Sequence, residues 1–175
     1  KYNQPAVIDN DANLAALGEQ VFGAGKKTDS LLYLTVSTGV GAGIILDGQI
    51  WHGRHSLAGE IGHNIIDRNG PKCPCGKRGC LEALVSGTAL AKNTIAFLKK
   101  NPNFKTKIKQ LVSNRLDQVT AITIYQAARQ NDSYAKKIVD EAIANLALGI
   151  SNAVNIFDPQ MVVIGGGITN EGEMF

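Results

Sequence analysis

The chain has 175 residues, of which 44% are hydrophobic, and a formal net charge of +3. This length supports one substantial core and is too short for two ordinary domains. The densest lysine run, at 99–109, contains a single aromatic residue, which argues against a nucleic-acid-binding surface. Because the chain shows neither a long apolar run nor a charged-then-apolar leader, we expect no membrane span and no signal peptide, and a soluble, cytoplasmic protein.

The N-terminal part predicts a strand, a turn and a helix. Residues 5–9 are typical of a buried strand, and Asn10 or Asp11 is a natural N-cap for a helix over 11–22. Apolar residues recur in that helix at helical spacing: Leu14, Leu17 and Val21.

An antiparallel meander is predicted next. Residues 31–37 and 42–47 are apolar runs of β type, hinged on the glycine-rich segment 37–41. A second tight turn at Asp47-Gly48 leads into residues 49–51.

The remaining chain is predicted to be mainly helical. We expect helices at 87–100, 122–130 and 133–157, a weaker helical stretch at 105–112, and a last strand at 161–164 before three glycines. Asp158-Pro159 ends the longest helix. Its apolar positions recur every three or four residues: Ile138, Ala142, Leu146, Ile150, Ala153 and Phe157.

Both ends of the chain suggest a piece of a longer enzyme. There is no initiating Met, a strand is predicted almost at the first residue, and residues 171–175 look like the opening of a helix.

One imidazole and three thiols lie close together in the sequence, at His63, Cys73, Cys75 and Cys80. One nitrogen and three sulfurs complete a tetrahedral shell for Zn²⁺ with no position left for water, which is typical of a structural site. A disulfide would leave the third cysteine over, whereas a metal uses all three; free or redox-active thiols are the alternative. Because acidic residues flank the cluster, we expect the metal-held loop to border a binding site.

Three polar or glycine-rich junctions each allow two interpretations. Asn10-Asp11 could present a catalytic carboxylate at the end of a strand or simply cap a helix. The glycines at 39, 41 and 43 could let backbone amides approach a phosphate or supply positive φ angles to a hairpin. The glycines at 165–167 could lie against a nucleotide or form an ordinary strand-to-helix turn.

Glu60 and His63 are three residues apart, so one helical turn would place them on the same side. If one ring nitrogen of His63 binds zinc, the other remains able to donate a hydrogen bond. The alternatives are that His63 is a metal ligand only, and that Glu60 and Glu82 are solvated carboxylates of a loop.

The order of these motifs resembles the ROK family of sugar kinases and sugar-responsive repressors. The resemblance runs from Asn10-Asp11-Ala-Asn, through the glycine-rich segment and Gly59-Glu60-Ile-Gly-His63, to the cysteine cluster and Glu82. It implies an α/β fold, the actin/hexokinase-like (ribonuclease H-like) lobe, with a mixed sheet packed with helices and a zinc-bound loop. It also implies that residues 1–175 are most of the large C-terminal lobe, without the small lobe and the final helices.

The resemblance implies a role for each matching residue. Asp11 would be the general base for ATP-dependent phosphorylation of a hexose, with Mg²⁺ on the phosphates. The other roles follow in the same way: sugar contacts from Asn10, Glu60, His63 and Glu82, phosphate contacts from Thr38 and Gly39, adenosine contacts from Gly166 and Gly167, and zinc ligation by His63, Cys73, Cys75 and Cys80.

Two functions compete. The first is a hexose kinase, with glucose as the first substrate and N-acetylmannosamine or fructose as alternatives; its isolated lobe is expected to be inactive and the intact enzyme a homodimer. The second is the sugar-sensing module of a transcriptional repressor. Asp11 favours the kinase, because a repressor needs no base beside the acceptor hydroxyl.

Overall fold

A computed structural model describes residues 6–174 of the chain. Four strands form one mixed sheet: β1 (Leu31–Val36), β2 (Val40–Leu46), β3 (Gln49–Ile50) and β4 (Met161–Gly165). The strand order is β3-β2-β1-β4, with antiparallel pairing within the meander and parallel pairing of β1 with β4. The predicted meander and last strand are therefore confirmed.

The helices that were predicted are present with small changes at their ends. The α-helices are α1 (Asp11–Val21), α2 (Leu81–Val85), α3 (Gly87–Lys100), α4 (Lys107–Leu111), α5 (Ala121–Arg129) and α6 (Ser133–Phe157). Short 3₁₀ segments lie at Glu60–His63, Leu116–Gln118 and Gly167–Met174. Over its described part, the predicted helix opening at 171–175 lies in the last 3₁₀ segment, which is interrupted at Gly172. Phe175 lies outside the described residues.

The boundaries of α6 follow from its caps. The Asp132 side chain accepts a hydrogen bond from the N–H of Ala135 at 2.8 Å, which satisfies a free donor of the first turn. At the other end Asp158 has a φ of 43°, a left-handed conformation that stops the helix, and Pro159 follows it.

Alternate residues of β1 pack on opposite sides of the sheet. Leu32, Leu34 and Val36 join a large core shared with helices α2, α3, α5 and α6. Leu31 packs on the other side with Ala16 of α1. The sheet is therefore covered by helices on both faces, as expected for an α/β protein.

One prediction for the N-terminal part is wrong. Residues 6–9 form no strand, and Val7 and Ile8 are 87% and 97% exposed, because no described strand pairs with this segment; Pro5 lies outside the described residues. Helix α1 is present as predicted, and the apolar residues that recur in it at helical spacing are 37–47% exposed: Leu14, Leu17 and Val21.

Small residues form the buried side of α1 instead. Ala12, Asn13 and Ala16 face the sheet. A Cβ added at Gly43 of β2 would lie 2.4 Å from the Ala12 carbonyl oxygen, so the helix and the strand are in close contact. Such an approach leaves no room for leucine side chains.

Candidate functional site

A small polar cavity of about 200 Å³ lies where α1, β2, the first 3₁₀ turn and α2 meet. Its lining brings together the five side chains predicted to contact a sugar or accept its proton: Asn10, Asp11, Glu60, His63 and Glu82. Asn13, Ser56 and residues 40–42 and 58–59 also take part in this lining.

At the start of α1, Asn10 caps the helix and Asp11 lies at the cavity. Asn10 is the N-cap, with its side-chain oxygen accepting from the N–H of Ala12 at 2.9 Å and from that of Asn13 at 3.4 Å. Asp11 is the first helical residue, and its carboxylate, at the cavity, accepts from the N–H of Ala12 at 2.8 Å. Helix capping therefore falls to Asn10 and leaves Asp11 at the cavity. A carboxylate in the first turn is also favoured by the helix dipole.

The turn Glu60–His63 places its two ends on one side, as predicted. Glu60 Oε2 lies 3.9 Å from His63 Nε2, and His63 Nδ1 lies 3.7 Å from the Sγ of Cys73. One ring nitrogen thus faces the thiols and the other faces the carboxylate. Gly59 begins this turn with a φ of 87°, and an added Cβ would lie 2.3 Å from the Ala42 carbonyl oxygen, so only glycine fits there.

Glu82 links α2 to the glycine-rich turn between β1 and β2. Its Oε2 accepts a hydrogen bond from the N–H of Val40 at 3.0 Å and lies 2.7 Å from the position of a Cβ added at Gly39. None of the glycines at 39, 41 and 43 has a positive φ, so the interpretation that they supply such angles to a hairpin is wrong. Gly43 instead allows the close approach of α1, and Gly39 allows the close approach of the Glu82 carboxylate.

The imidazole and the three thiols predicted to bind zinc form one cluster. Their ligand atoms lie within 4.8 Å of one another, and the Sγ atoms of Cys75 and Cys80 are 3.6 Å apart. In a tetrahedral shell with Zn–S bonds of about 2.3 Å, neighbouring sulfurs are about 3.8 Å apart. The donor set and its spacing therefore fit a zinc ion.

The environments of two of these thiols differ. Burial raises the pKa of the Cys80 thiol to about 12, whereas a hydrogen bond from the backbone of Lys77 lowers the pKa of Cys75. A thiol with so high a pKa ionises near neutral pH only when a cation lies beside it, and a zinc ligand must be deprotonated.

The loop that carries these cysteines also positions α2. Gly79 has a φ of 66°, and an added Cβ would lie 1.4 Å from the Asp67 carbonyl oxygen, so the loop can close only with glycine there. Cys80 is the N-cap residue of α2, and Glu82 follows two positions later. Any ion held by the cluster would therefore fix the helix that carries Glu82.

A second, larger cavity of about 750 Å³ adjoins the same glycine-rich turn and is mainly apolar. Thr38 and Gly167 line it, whereas Gly39 and Gly166 do not. Gly166 has a φ of 96°, and an added Cβ would lie 2.5 Å from the Val36 carbonyl oxygen. Glycine at this position therefore allows the chain that follows β4 to pass close to the end of β1. Residues 37–38 border the larger cavity and residues 40–42 border the smaller one.

A carboxylate that the sequence did not indicate as a site residue lies next to the small cavity. Asp9 Oδ2 lies 2.7 Å from His52 Nε2, and Asp9 Oδ1 accepts from the side-chain amide of Asn13 at 3.0 Å. The hydrogen bonds from Asn13 and His52 lower the pKa of Asp9 to about 2. Asn13 stands in the Asn10-Asp11-Ala-Asn motif and could have been found there, but no sequence signal joins residue 9 to residue 52.

Comparison with known proteins identifies the family. The sequence model of the ROK family matches residues 1–175. The chain belongs to the ROK family. Its ROK relatives include the glucokinase of Thermotoga maritima, which is 38% identical over 95% of this chain and 52% of its own length. The xylose repressor of Caldicellulosiruptor bescii is also 38% identical, over 100% of this chain and 43% of its own.

A solved ROK structure supports the same fold. The ROK family glucokinase from Streptomyces griseus, in complex with glucose and AMPPNP, superposes with a TM-score of 0.83 and 35% identity, over 99% of this chain and 55% of that one. The chain spans about half the length of these ROK relatives. Among residues 6–174, no helix is long and apolar enough to cross a membrane.

Proposed function

We propose that the chain is the large C-terminal lobe, residues 1–175, of a two-lobed, actin- and hexokinase-like sugar kinase that transfers a phosphoryl group from ATP to a hexose, with glucose as the first candidate. One observation carries the proposal. A small polar cavity containing the Asp11 carboxylate and a larger apolar cavity adjoin the same glycine-rich turn. This suits a reaction in which a group passes from a nucleotide to a small polar acceptor.

The chemistry follows from what each side chain can do. Asp11 accepts the proton of the sugar hydroxyl that attacks the phosphoryl group, while the other polar side chains of the small cavity hold the remaining hydroxyls. These are Asn10, Glu60, His63 and Glu82. ATP supplies the phosphoryl group, and Mg²⁺ neutralises its charge.

The nucleotide would lie along the larger cavity. In this proposal Thr38 and Gly39 approach the phosphates, because they stand in the turn between the two cavities. Gly166 and Gly167 lie near the adenosine, since Gly167 lines the larger cavity. Because half of the phosphate clamp would come from the small lobe, the isolated lobe is inactive in this proposal.

The remaining expectations belong to the same proposal. A structural Zn²⁺ is held by His63, Cys73, Cys75 and Cys80, whose ligand atoms have the spacing described above. The intact enzyme is a cytoplasmic homodimer.

A second candidate is the sugar-sensing part of a ROK repressor. The support for it is that a xylose repressor matches the whole chain at the same identity as a glucokinase. A repressor needs the sugar contacts but no base, so the carboxylate of Asp11 at the cavity favours the kinase. In the full-length protein, a phosphate-binding hairpin upstream of residue 1 would indicate a kinase, and a helix-turn-helix would indicate a repressor.

The test is Asp11→Asn in the full-length protein. This change keeps the shape of the side chain and removes the proton acceptor, so turnover with glucose and ATP should fall by about 10²–10⁴ while glucose affinity is retained. Asp140→Asn, at an exposed carboxylate on α6, is the control and should leave turnover unchanged. Near-normal turnover in Asp11→Asn would rule out its role as the base.

A further inference from the structure

Asp9 connects two walls of the small cavity. On one side its Oδ1 accepts from the backbone N–H of Asn10 at 2.7 Å and from the amide of Asn13 at 3.0 Å. On the other side its Oδ2 meets His52 Nε2 at 2.7 Å, across 43 positions of the chain. Asn10 and Asn13 belong to the wall that carries Asp11. His52 precedes the wall formed by residues 56–60.

The wall that follows His52 begins as a loop. The loop 52–58 closes through a hydrogen bond from the N–H of Ala58 to the carbonyl oxygen of His52, at 3.0 Å. Within it Ser56, which lines the cavity, has a φ of 55°, a left-handed conformation that costs a non-glycine residue energy. Such a conformation persists only where the surroundings hold it. The side chain of His52 is the described contact that joins this loop to the start of α1.

We propose that the Asp9–His52 pair is a positioning device that sets the distance between the Asp11 wall and the Ser56–Glu60 wall, and thereby the fit of the sugar. The inference rests on the proposed function only for the identity of the ligand. The Asp9 side chain is 18% exposed and that of His52 43%, so the pair is partly screened by water and contributes little to global stability. Its effect is on geometry, because a small displacement of a substrate-binding wall weakens binding and catalysis.

The test compares histidine variants of the full-length protein. In His52→Ala the sugar KM should rise about three- to tenfold, while the nucleotide KM measured at saturating sugar stays unchanged, because the larger cavity does not include this loop. His52→Gln should recover most of the loss, since its side-chain amide can still donate to Asp9. His55→Ala is the matched control: His55 is exposed in the same loop, has no described hydrogen-bond partner, and should leave both KM values unchanged.

Hydrogen exchange and calorimetry separate this inference from the proposed function. Backbone amides of residues 56–60 should exchange faster in His52→Ala than in the wild type or in His55→Ala, whether or not the protein phosphorylates a sugar. Failure of the wild type to bind any hexose by calorimetry would contradict the proposed function. The positioning role would be overturned if His52→Ala lowered the melting temperature but left sugar affinity unchanged, with no recovery in His52→Gln. It would also be overturned if the backbone amides of residues 56–60 exchanged at equal rates in all variants.

Discussion

At the scale of single residues, Tyr125 has an unusual environment. Its side chain is 1% exposed, and its hydroxyl is buried with no hydrogen-bond partner among residues 6–174. A buried hydroxyl that has given up water without gaining a partner costs free energy. Tyr125→Phe should therefore raise the free energy of unfolding by about 1 kcal/mol at neutral pH, measured by urea denaturation.

The same substitution should change the response to alkali. Burial raises the pKa of Tyr125 from 10.0 to about 12 in the folded protein. Because the folded pKa lies above the unfolded one, Tyr125 ionises more easily in the unfolded chain than in the folded protein. The free energy of unfolding should therefore be unaffected by this group below pH 10 and should fall as the pH rises toward 12. Tyr125→Phe should reduce that alkaline loss.

Tyr134→Phe is the matched control. Burial raises the pKa of Tyr134 to about 12 as well, so its removal should also reduce the alkaline loss. It should give no gain at neutral pH, because the Tyr134 hydroxyl is not a buried unpaired group. A loss of stability in Tyr125→Phe would indicate that its hydroxyl bonds a group outside the described residues.

The residues of the small cavity could be predicted to very different degrees. Asn10, Asp11, Glu60 and Glu82 stand at the ends of elements within recognisable motifs, and the structure brings them together. The contact of Asp9 with His52 could not be predicted, because it depends on how the loop after β3 folds back onto the start of α1.

At the scale of elements, the contact between α1 and β2 depends on Gly43. Gly43→Ala should reduce the free energy of unfolding by about 1–3 kcal/mol, because its Cβ would lie 2.7 Å from the Ala16 Cβ and push α1 away. The sugar KM should rise in the same variant, since α1 carries Asp11. Urea denaturation and steady-state kinetics measure the two effects.

Gly18→Ala is the control on the same helix. A Cβ at Gly18 would meet no atom within 4 Å, so the added methyl group should stabilise α1 by about 0.5–1 kcal/mol without affecting the sugar KM. Equal stability of the two alanine variants would contradict close packing at Gly43.

The cysteine loop allows a prediction about metal removal. Purified full-length protein should contain about one zinc per chain, because His63 and the three cysteines supply one complete tetrahedral shell. Cys75→Ser should lose the metal, lower the melting temperature and weaken sugar binding, since the loop leads directly into the helix that carries Glu82. Metal analysis, thermal unfolding and calorimetry give three separate readouts. Unchanged sugar affinity in a zinc-free variant would separate the metal from the sugar site.

The elements show why some patterns predict structure better than others. The periodicity of α6 is long and its caps are explicit, so its bounds, Ser133–Phe157, were predicted without error. In α1 the apolar pattern indicated the helix but not its buried side. The side that packs closely on glycines is made of small residues, and hydrophobicity alone does not identify small residues as a packing surface.

At the scale of the whole molecule, the sequence predicted a mixed sheet covered by helices but not the order of its strands. β4 pairs with β1 in parallel after an intervening stretch that contains β2, β3, the cysteine loop and five α-helices. Pairing over such a separation is set by tertiary packing rather than by local pattern. This pairing puts Gly166 against Val36, so that residues 37–38 and residues 167–171 contribute to the same larger cavity.

The glycine-rich turn 37–41 borders both cavities, and the carboxylate of Glu82 binds its backbone at Val40 while also lining the smaller cavity. In the proposed kinase we therefore expect a ligand that orders this turn from one side to change the free energy of binding on the other side. By thermodynamic linkage, the factor by which a sugar alters nucleotide affinity must equal the factor by which the nucleotide alters sugar affinity. In the proposed kinase the two binding equilibria would thus be coupled through the turn that both cavities share.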